Sequence, residues 1–293
     1  MANLNLYSAG DKRFVIINMI LIAVFTVSTM YPFIYIGSLS FSSGFAARAG
    51  QVVLTPIETT FEAYKYILSQ RMFWVSYGNT FFYTIFGTIC SLLFLIPGAY
   101  ALSRPQLFGR RFFNLMVAFT MWFNAGLIPF FLNMRDLGLL DSYIGIIIGF
   151  AVNGFNLILL RNFFEGVPSS FEEAARMDGA NDFQVLWKVY VPLAKPAIAT
   201  VALFCLVSRW NGFFWAMVLL RDEDKIPLQV YLRHTIATLS DDHEFGATLA
   251  STNYSAETVS AAIIVCSIIP VIIVYPFIQK YFEKGILMGG VKE

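Results

Sequence analysis

Charge is the first thing this sequence is short of. Asp, Glu, Lys and Arg make up 13% of its 293 residues, about half of the roughly 25% usual for a soluble domain, so its surface is not mainly in water. The charges nearly cancel, to +1 at neutral pH, which excludes the basic footprint of a nucleic-acid-binding protein. Cysteine is scarce too. Cys90, Cys205 and Cys266 each lie inside an apolar run and read as buried free thiols, which argues against a disulfide framework or a Cys/His metal site. The two histidines, His234 and His243, have no partner at catalytic or metal spacing and read as surface residues. No stretch fits GxxxxGK followed by Ser or Thr, so the chain is not expected to bind and hydrolyse ATP by itself.

What is abundant is apolar: 57% hydrophobic and 17% aromatic residues. A helix needs about 20 mostly apolar residues to cross the hydrocarbon core, and six runs qualify: 14–39, 74–103, 111–134, 142–162, 196–220 and 257–281. Helices are expected because lipid offers no partner to an unpaired backbone group. The first run is too long for a signal-peptide core of roughly 7–15 residues and reads as an uncleaved span. The chain therefore reads as an all-α integral membrane protein, 1–293 forming a single transmembrane domain. With the N-terminus in the cytoplasm, the inner side holds twelve Lys/Arg (12, 13, 104, 110, 111, 161, 176, 188, 195, 280, 284, 292) against seven outside (48, 65, 71, 135, 221, 225, 233), as the positive-inside rule asks. Both termini are then cytoplasmic. Helix-loosening residues recur within the runs (Pro32, Pro97-Gly98, Pro129, Pro270, Pro276), and Gly145 and Gly149 form a GxxxG pair that Asn153 continues, the pattern of close helix approach.

One charge lies deep in a run. Arg209, followed by Trp210 and Asn211, sits where a cation is costly and faces a cavity or a partner. The expectation is that the three residues line a translocation path and that Arg209 favours an anionic solute there. The competing expectation is an arginine paired within the bundle or snorkelling outward.

The inner segment 163–195 is the most informative. Ser169 or Ser170 is the expected N-cap of a short helix, Glu172 and Glu173 fall in its first turn, and Gly179 is its natural stop. A second amphipathic piece carries Phe183, Leu186, Trp187 and Tyr190 at helical spacing before Pro192 and Pro196. The result is a compact helix–turn–helix outside the membrane. Its small Ala174-Ala175 face, flanked by carboxylates and followed by Ala180, suits docking in a cleft of another protein.

The run Glu173-Ala174-Ala175-Arg176-Met177-Asp178-Gly179-Ala180, with Pro192 thirteen positions after the glycine, resembles the EAA loop of ABC importer permeases in its carbohydrate, maltose-type form. Trp210-Asn211-Gly212-Phe213 resembles a Trp-Asn segment common in these permeases. The tail 282–293, with Gly289, Gly290, Val291 and Lys292, resembles that of the second maltose-type permease subunit, which reaches between the ATP-binding subunits.

This resemblance implies a six-helix permease core in a bacterial inner membrane. Glu172, Glu173, Ala174, Ala175, Asp178, Gly179 and Ala180 would couple to two ATP-binding subunits that carry ATP and Mg, with no cofactor in this chain. The other partners would be a different second permease subunit, an external solute-binding protein, a sugar and membrane lipid. Among sugars the resemblance points to oligo- and polysaccharides, alginate first. The acidic loop 221–256, with Asp222, Glu223, Asp224, Asp241, Asp242 and Glu244, corresponds in position to one that reaches the binding protein. An ion-driven transporter or channel would need intramembrane carboxylates or repeats; a membrane enzyme would need clustered His, Asp or Ser at one face. Neither accounts for 173–196.

Overall fold

The computed structural model describes residues 9–241 and 253–289, and these residues are all helix, turn and loop. In chain order the first helices are α1 (Ala9–Ser40), α2 (Gly44–Arg48), α3 (Glu62–Ser69) and α4 (Arg71–Ser103). Then come α5 (Arg110–Trp122), α6 (Leu127–Asp136), α7 (Tyr143–Ile148), α8 (Gly154–Glu165), α9 (Ser169–Met177) and α10 (Asp182–Val185). A π turn over Leu186–Tyr190 leads to α11 (Val191–Leu193), α12 (Lys195–Trp210), α13 (Phe214–Leu219), α14 (Leu228–Asp241) and α15 (Ala256–Gly289). Contacts divide the chain into two units, Met1–Gln70 with His234–Ile268, and Arg71–Arg233 with Ile269–Glu293.

In the first unit the apolar length of α1 is unburied. Only its end packs, Leu39 joining Ala46, Val52 and Ala261 in a small core. Ser255 and Thr258 cap α15 reciprocally, each side-chain oxygen accepting from the other's backbone N–H.

The second unit is built on α4, against which α12, α8 and α7 pack. The reason is legible in its sequence: Ser76, Thr80, Thr84, Gly87, Thr88 and Ser91 recur at three- and four-residue spacing and are turned inward. A stripe of small residues lets helix backbones approach closely, which in lipid replaces the hydrophobic drive that water supplies elsewhere. Leu95, Ala99, Leu160, Phe164, Val185, Tyr190 and Val201 form a core at one end of this unit; Tyr83, Met134, Ile146, Leu219 and Val230 form another.

Among the described residues, three helices can cross a membrane unaided by length and composition, over Arg13–Ser40, Arg71–Ser103 and Ala256–Ile273. The other three expected runs are broken. The run 111–134 becomes α5 and α6, bent by 117°, because Gly126 takes φ +89° and its N–H is held by Asn124 Oδ1 at 2.8 Å. Pro129 falls in the first turn of α6, where no N–H is needed. The run 142–162 becomes α7 and α8, with Ser142 and Asn153 as caps whose side chains accept from Ile144 N and Asn156 N. The run 196–220 stops at Trp210 and resumes at Phe214.

Candidate functional site

α9 is a short helix held by its inward side. The expected serine cap does not form: Pro168 occupies the N-cap position in extended conformation, and Ser169 and Ser170 lie within the first turn. Proline has no N–H to lose there. At the other end Gly179, at φ +81°, turns the chain back, and Ala180 N donates to Ala175 O at 3.0 Å, a left-handed helix stop.

Glu172 is buried and faces the protein. Its carboxylate accepts from Arg104 Nη1, from Tyr190 Oη at 3.0 Å, and from Arg176 Nε and Nη2 at 3.1 and 2.9 Å. Arg104, the first residue beyond α4, stacks its guanidinium 4.9 Å from the Tyr100 ring centroid and 4.4 Å from that of Tyr190. Burial pushes the Glu172 carboxyl up, but the hydrogen bonds from Arg176 and Tyr190 and the Arg104 and Arg176 charges outweigh it and hold it below the ordinary carboxylate range.

The opposite face of α9 is free of such ties: Phe171, Glu173, Ala174, Met177, Asp178 and Gly179 are exposed, and Ala175 and Ala180 are partly covered. The second piece is not a simple amphipathic helix. The five-residue π turn puts Leu186 and Tyr190 inward and leaves Phe183 exposed and Trp187 at its edge, with ring centroids 6.1 Å apart. α9, Phe183 and Trp187 thus present small, apolar and acidic groups outward.

The second feature is a cavity of about 650 Å³ at the helix breaks, lined by Gly149–Asn153, Asn211–Gly212, Arg209, Ser208, Asn156, Ser91 and Tyr83 among others. Irregular backbone at membrane depth is tolerated where it is covered by protein or lines such a cavity. Arg209 donates from Nη1 to Ile146 O at 2.5 Å and from Nη2 to Ile147 O at 3.0 Å. These carbonyls end α7 and have no acceptor role within it, and the negative helix end suits a cation. Gly87 makes room, since a Cβ there would lie 3.0 Å from Arg209 Nε. Among the lining residues Arg209 is the one formal charge.

The structure thus brings Arg209 and Asn211 to the cavity but not Trp210, which is buried beside Tyr77 and Phe81 with ring centroids 6.3 and 5.2 Å away. It places Glu173, Ala174, Asp178 and Gly179 on one exposed surface and turns Glu172 away from it. Of the tail, Gly289 ends α15, while Gly290, Val291 and Lys292 lie outside the described residues.

Asp242, His243 and Glu244 also lie outside the described residues, as does the side chain of Asp241. Asp222 and Asp224 are engaged by Lys225 and Arg71 at 3.2 Å each. Sequence reasoning missed Asn153, Asn156 and Ser208 as cavity residues; polar side chains inside apolar runs were the available signal. It also missed Arg104 and Tyr190 as partners of Glu172.

Residues 71–288 match the family model described as "Binding-protein-dependent transport system inner membrane component". The chain is 41% identical over 273 residues to the "Polygalacturonan/rhamnogalacturonan transport system permease protein YtcP" of Bacillus subtilis, covering 92% of this chain and 94% of that one. It is 38% identical to "Protein LplC" of the same organism over 97% and 96% of the two chains. Among solved structures, a chain of "a bacterial ABC transporter involved in the import of the acidic polysaccharide alginate" superposes with a TM-score of 0.90 at 62% identity, covering 94% of this chain and 99% of that one.

Proposed function

The chain belongs to the family of binding-protein-dependent transport system inner membrane components, and on that premise we propose that it admits an acidic polysaccharide or its oligomers, alginate first among them. It is a permease subunit of a sugar ABC importer; ATP is hydrolysed on separate subunits, and a second permease and a binding protein complete the machine. The observation that carries the substrate assignment is the 62% identity, along nearly the full chain, to a subunit of an alginate importer. The single charge of the cavity is positive, which agrees with a polyuronate.

In this reading α9 lies in the cytoplasm, as do both termini, in keeping with the twelve-to-seven distribution of Lys and Arg. Glu173, Ala174, Ala175, Asp178, Gly179 and Ala180 form the surface that docks in the ATP-binding subunit, and the tail from Gly289 to Lys292 reaches the same partner. ATP and Mg reside there. Arg209 and Asn211 line the path, while Trp210 packs on Tyr77 and Phe81 beside it. Arg209 stays oriented by the α7 carbonyls while its charge favours uronate carboxylates entering the cavity.

The test is uptake by the reconstituted importer of an oligouronate and of its methyl ester, the same sugar without charge. Arg209→Gln should depress uptake of the free acid more than that of the ester. Equal losses would remove Arg209 from substrate selection, and failure of uronate-loaded binding protein to stimulate the ATPase would remove alginate.

A further inference from the structure

α9 packs against α10 and the π turn, and its Ala175 rests on the core that includes Tyr100 and Leu102 of α4. The side-chain bond between α9 and the end of α4 is Glu172 to Arg104. Tyr190 completes it in both directions, accepting from Arg104 Nη1 at 2.5 Å and donating to Glu172 Oε2 at 3.0 Å. The guanidinium is further confined by the Tyr100 and Tyr190 rings, and Tyr190 packs edge-on to Phe164, ring centroids 5.8 Å apart. A planar cation held by a carboxylate, a hydroxyl and two rings cannot swing freely.

α4 is pinned at its far end as well. Asn79 Nδ2 donates to Asp224 O and Ile226 O at 2.8 and 3.1 Å, Tyr83 Oη to Lys225 O at 2.9 Å, and Leu228 N to Thr80 Oγ1 at 2.7 Å. Between residues 80 and 103 a helix is about 35 Å long at 1.5 Å per residue, and Tyr83 and Ser91 on this stretch line the cavity.

We propose that Glu172, Arg104 and Tyr190 form a latch through which displacement of α9 is delivered to α4, and along α4 to the cavity. The proposal rests on the coupling reading above and assigns these three as positioning residues, separate from the exposed docking surface around Glu173. Without the latch, α9 can follow its partner while the span stays behind, so ATP is hydrolysed without matching transport.

The experiment uses the reconstituted importer with its ATP-binding subunits, binding protein and oligoalginate, and reads sugar taken up per ATP hydrolysed. Glu172→Gln and Tyr190→Phe keep shape and remove charge or a hydroxyl. Each should lower that ratio, Glu172→Gln by at least about fivefold, the low end of a typical coupling between sites, with the ATP-binding subunits still co-purifying. The exchange Arg104→Glu with Glu172→Arg should recover part of the loss. A purely structural defect would lower uptake and hydrolysis together and leave the ratio unmoved.

An unchanged ratio in both variants overturns the latch, while loss of co-purifying subunits in Glu173→Lys still upholds the docking surface. Should Glu172→Gln fail to assemble, Tyr190→Phe decides. If no ATP-binding subunit co-purifies with the wild-type chain, the coupling reading fails and the latch with it.

Discussion

Replacing Gly87 by alanine tests whether Arg209 is rigidly held. In an ordinary helix interior this substitution stabilises by about 0.5–1 kcal/mol, because glycine loses more backbone entropy on folding. Here the new methyl would lie 3.0 Å from Nε, 3.1 Å from Cζ and 3.2 Å from Cδ of Arg209. An arginine free to swing would yield at little cost. This one is tied at its far end to Ile146 O and Ile147 O, so moving it loosens two interhelical hydrogen bonds, each worth about 0.6 kcal/mol in membrane proteins, and adds overpacking strain of about 1 kcal/mol or more.

Gly87→Ala alone should therefore destabilise by about 1 kcal/mol, whereas in an Arg209→Ala background, where the obstacle is gone, it should stabilise by about 0.5–1 kcal/mol. The coupling between the sites is then about 1.5–2 kcal/mol. At roughly 2–4 °C per kcal/mol, the effect of Gly87→Ala on the melting temperature should differ between backgrounds by about 3–8 °C, measured in bilayer discs at one scan rate. The same shift in both backgrounds would refute the picture of a fixed guanidinium.

The glycine at 179 gives a ranking: its φ of +81° suits glycine, is borne by asparagine and is resisted by β-branched residues. Gly179→Asn should thus retain more binding-protein-stimulated ATPase than Gly179→Val, although nothing within 4 Å of Gly179 would clash with a Cβ; equal activities would count against α9 needing that turn. Between the apolar runs, Asp141 Oδ1 accepts from the backbone N–H of Arg221 and Asp222 at 3.1 Å each, and Lys225 Nζ reaches Asp141 Oδ2 at 3.3 Å. The Asp222 N–H bond above all, with that of Arg221 and the lysine charge, outweighs burial and holds this carboxyl below its ordinary value. A lowered native pKa means that its contribution is complete above the ordinary carboxylate range and is lost as pH falls through the lowered native value. Exchange of the amides at 221 and 222, corrected for intrinsic rates, should stay protected at neutral and mildly acidic pH and open below it. Asp141→Asn should open them at neutral pH, and unaltered protection would show that the loop is held otherwise.

How much was legible in the sequence differs from element to element. The apolar runs now in α1, α4 and α15, the left-handed stop at Gly179 and the outward Ala174 follow from length, spacing and the chemistry of single residues. The breaks at 123–126, 149–153 and 211–213 carried local marks, Asn124-Ala125-Gly126 and Asn153 among them, yet a hydropathy window averages over such marks. Glu172 and Glu173 are adjacent and chemically alike, and nothing local says which turns inward. That choice is made by Arg104 and Tyr190, 68 and 18 residues away in the chain.

The sequence by itself determined that this is a helical membrane protein with an exposed small-and-acidic helix, because burial in lipid and capping are properties of neighbours along the chain. Only the tertiary structure decided where the spans break, which glutamate anchors α9 and what satisfies Arg209. The last two depend on a buried charged group finding its partner elsewhere in the fold, and the high cost of leaving such a group unpaired selects that partner only once the helices are packed; the breaks rest on local turns and caps that a hydropathy average hides.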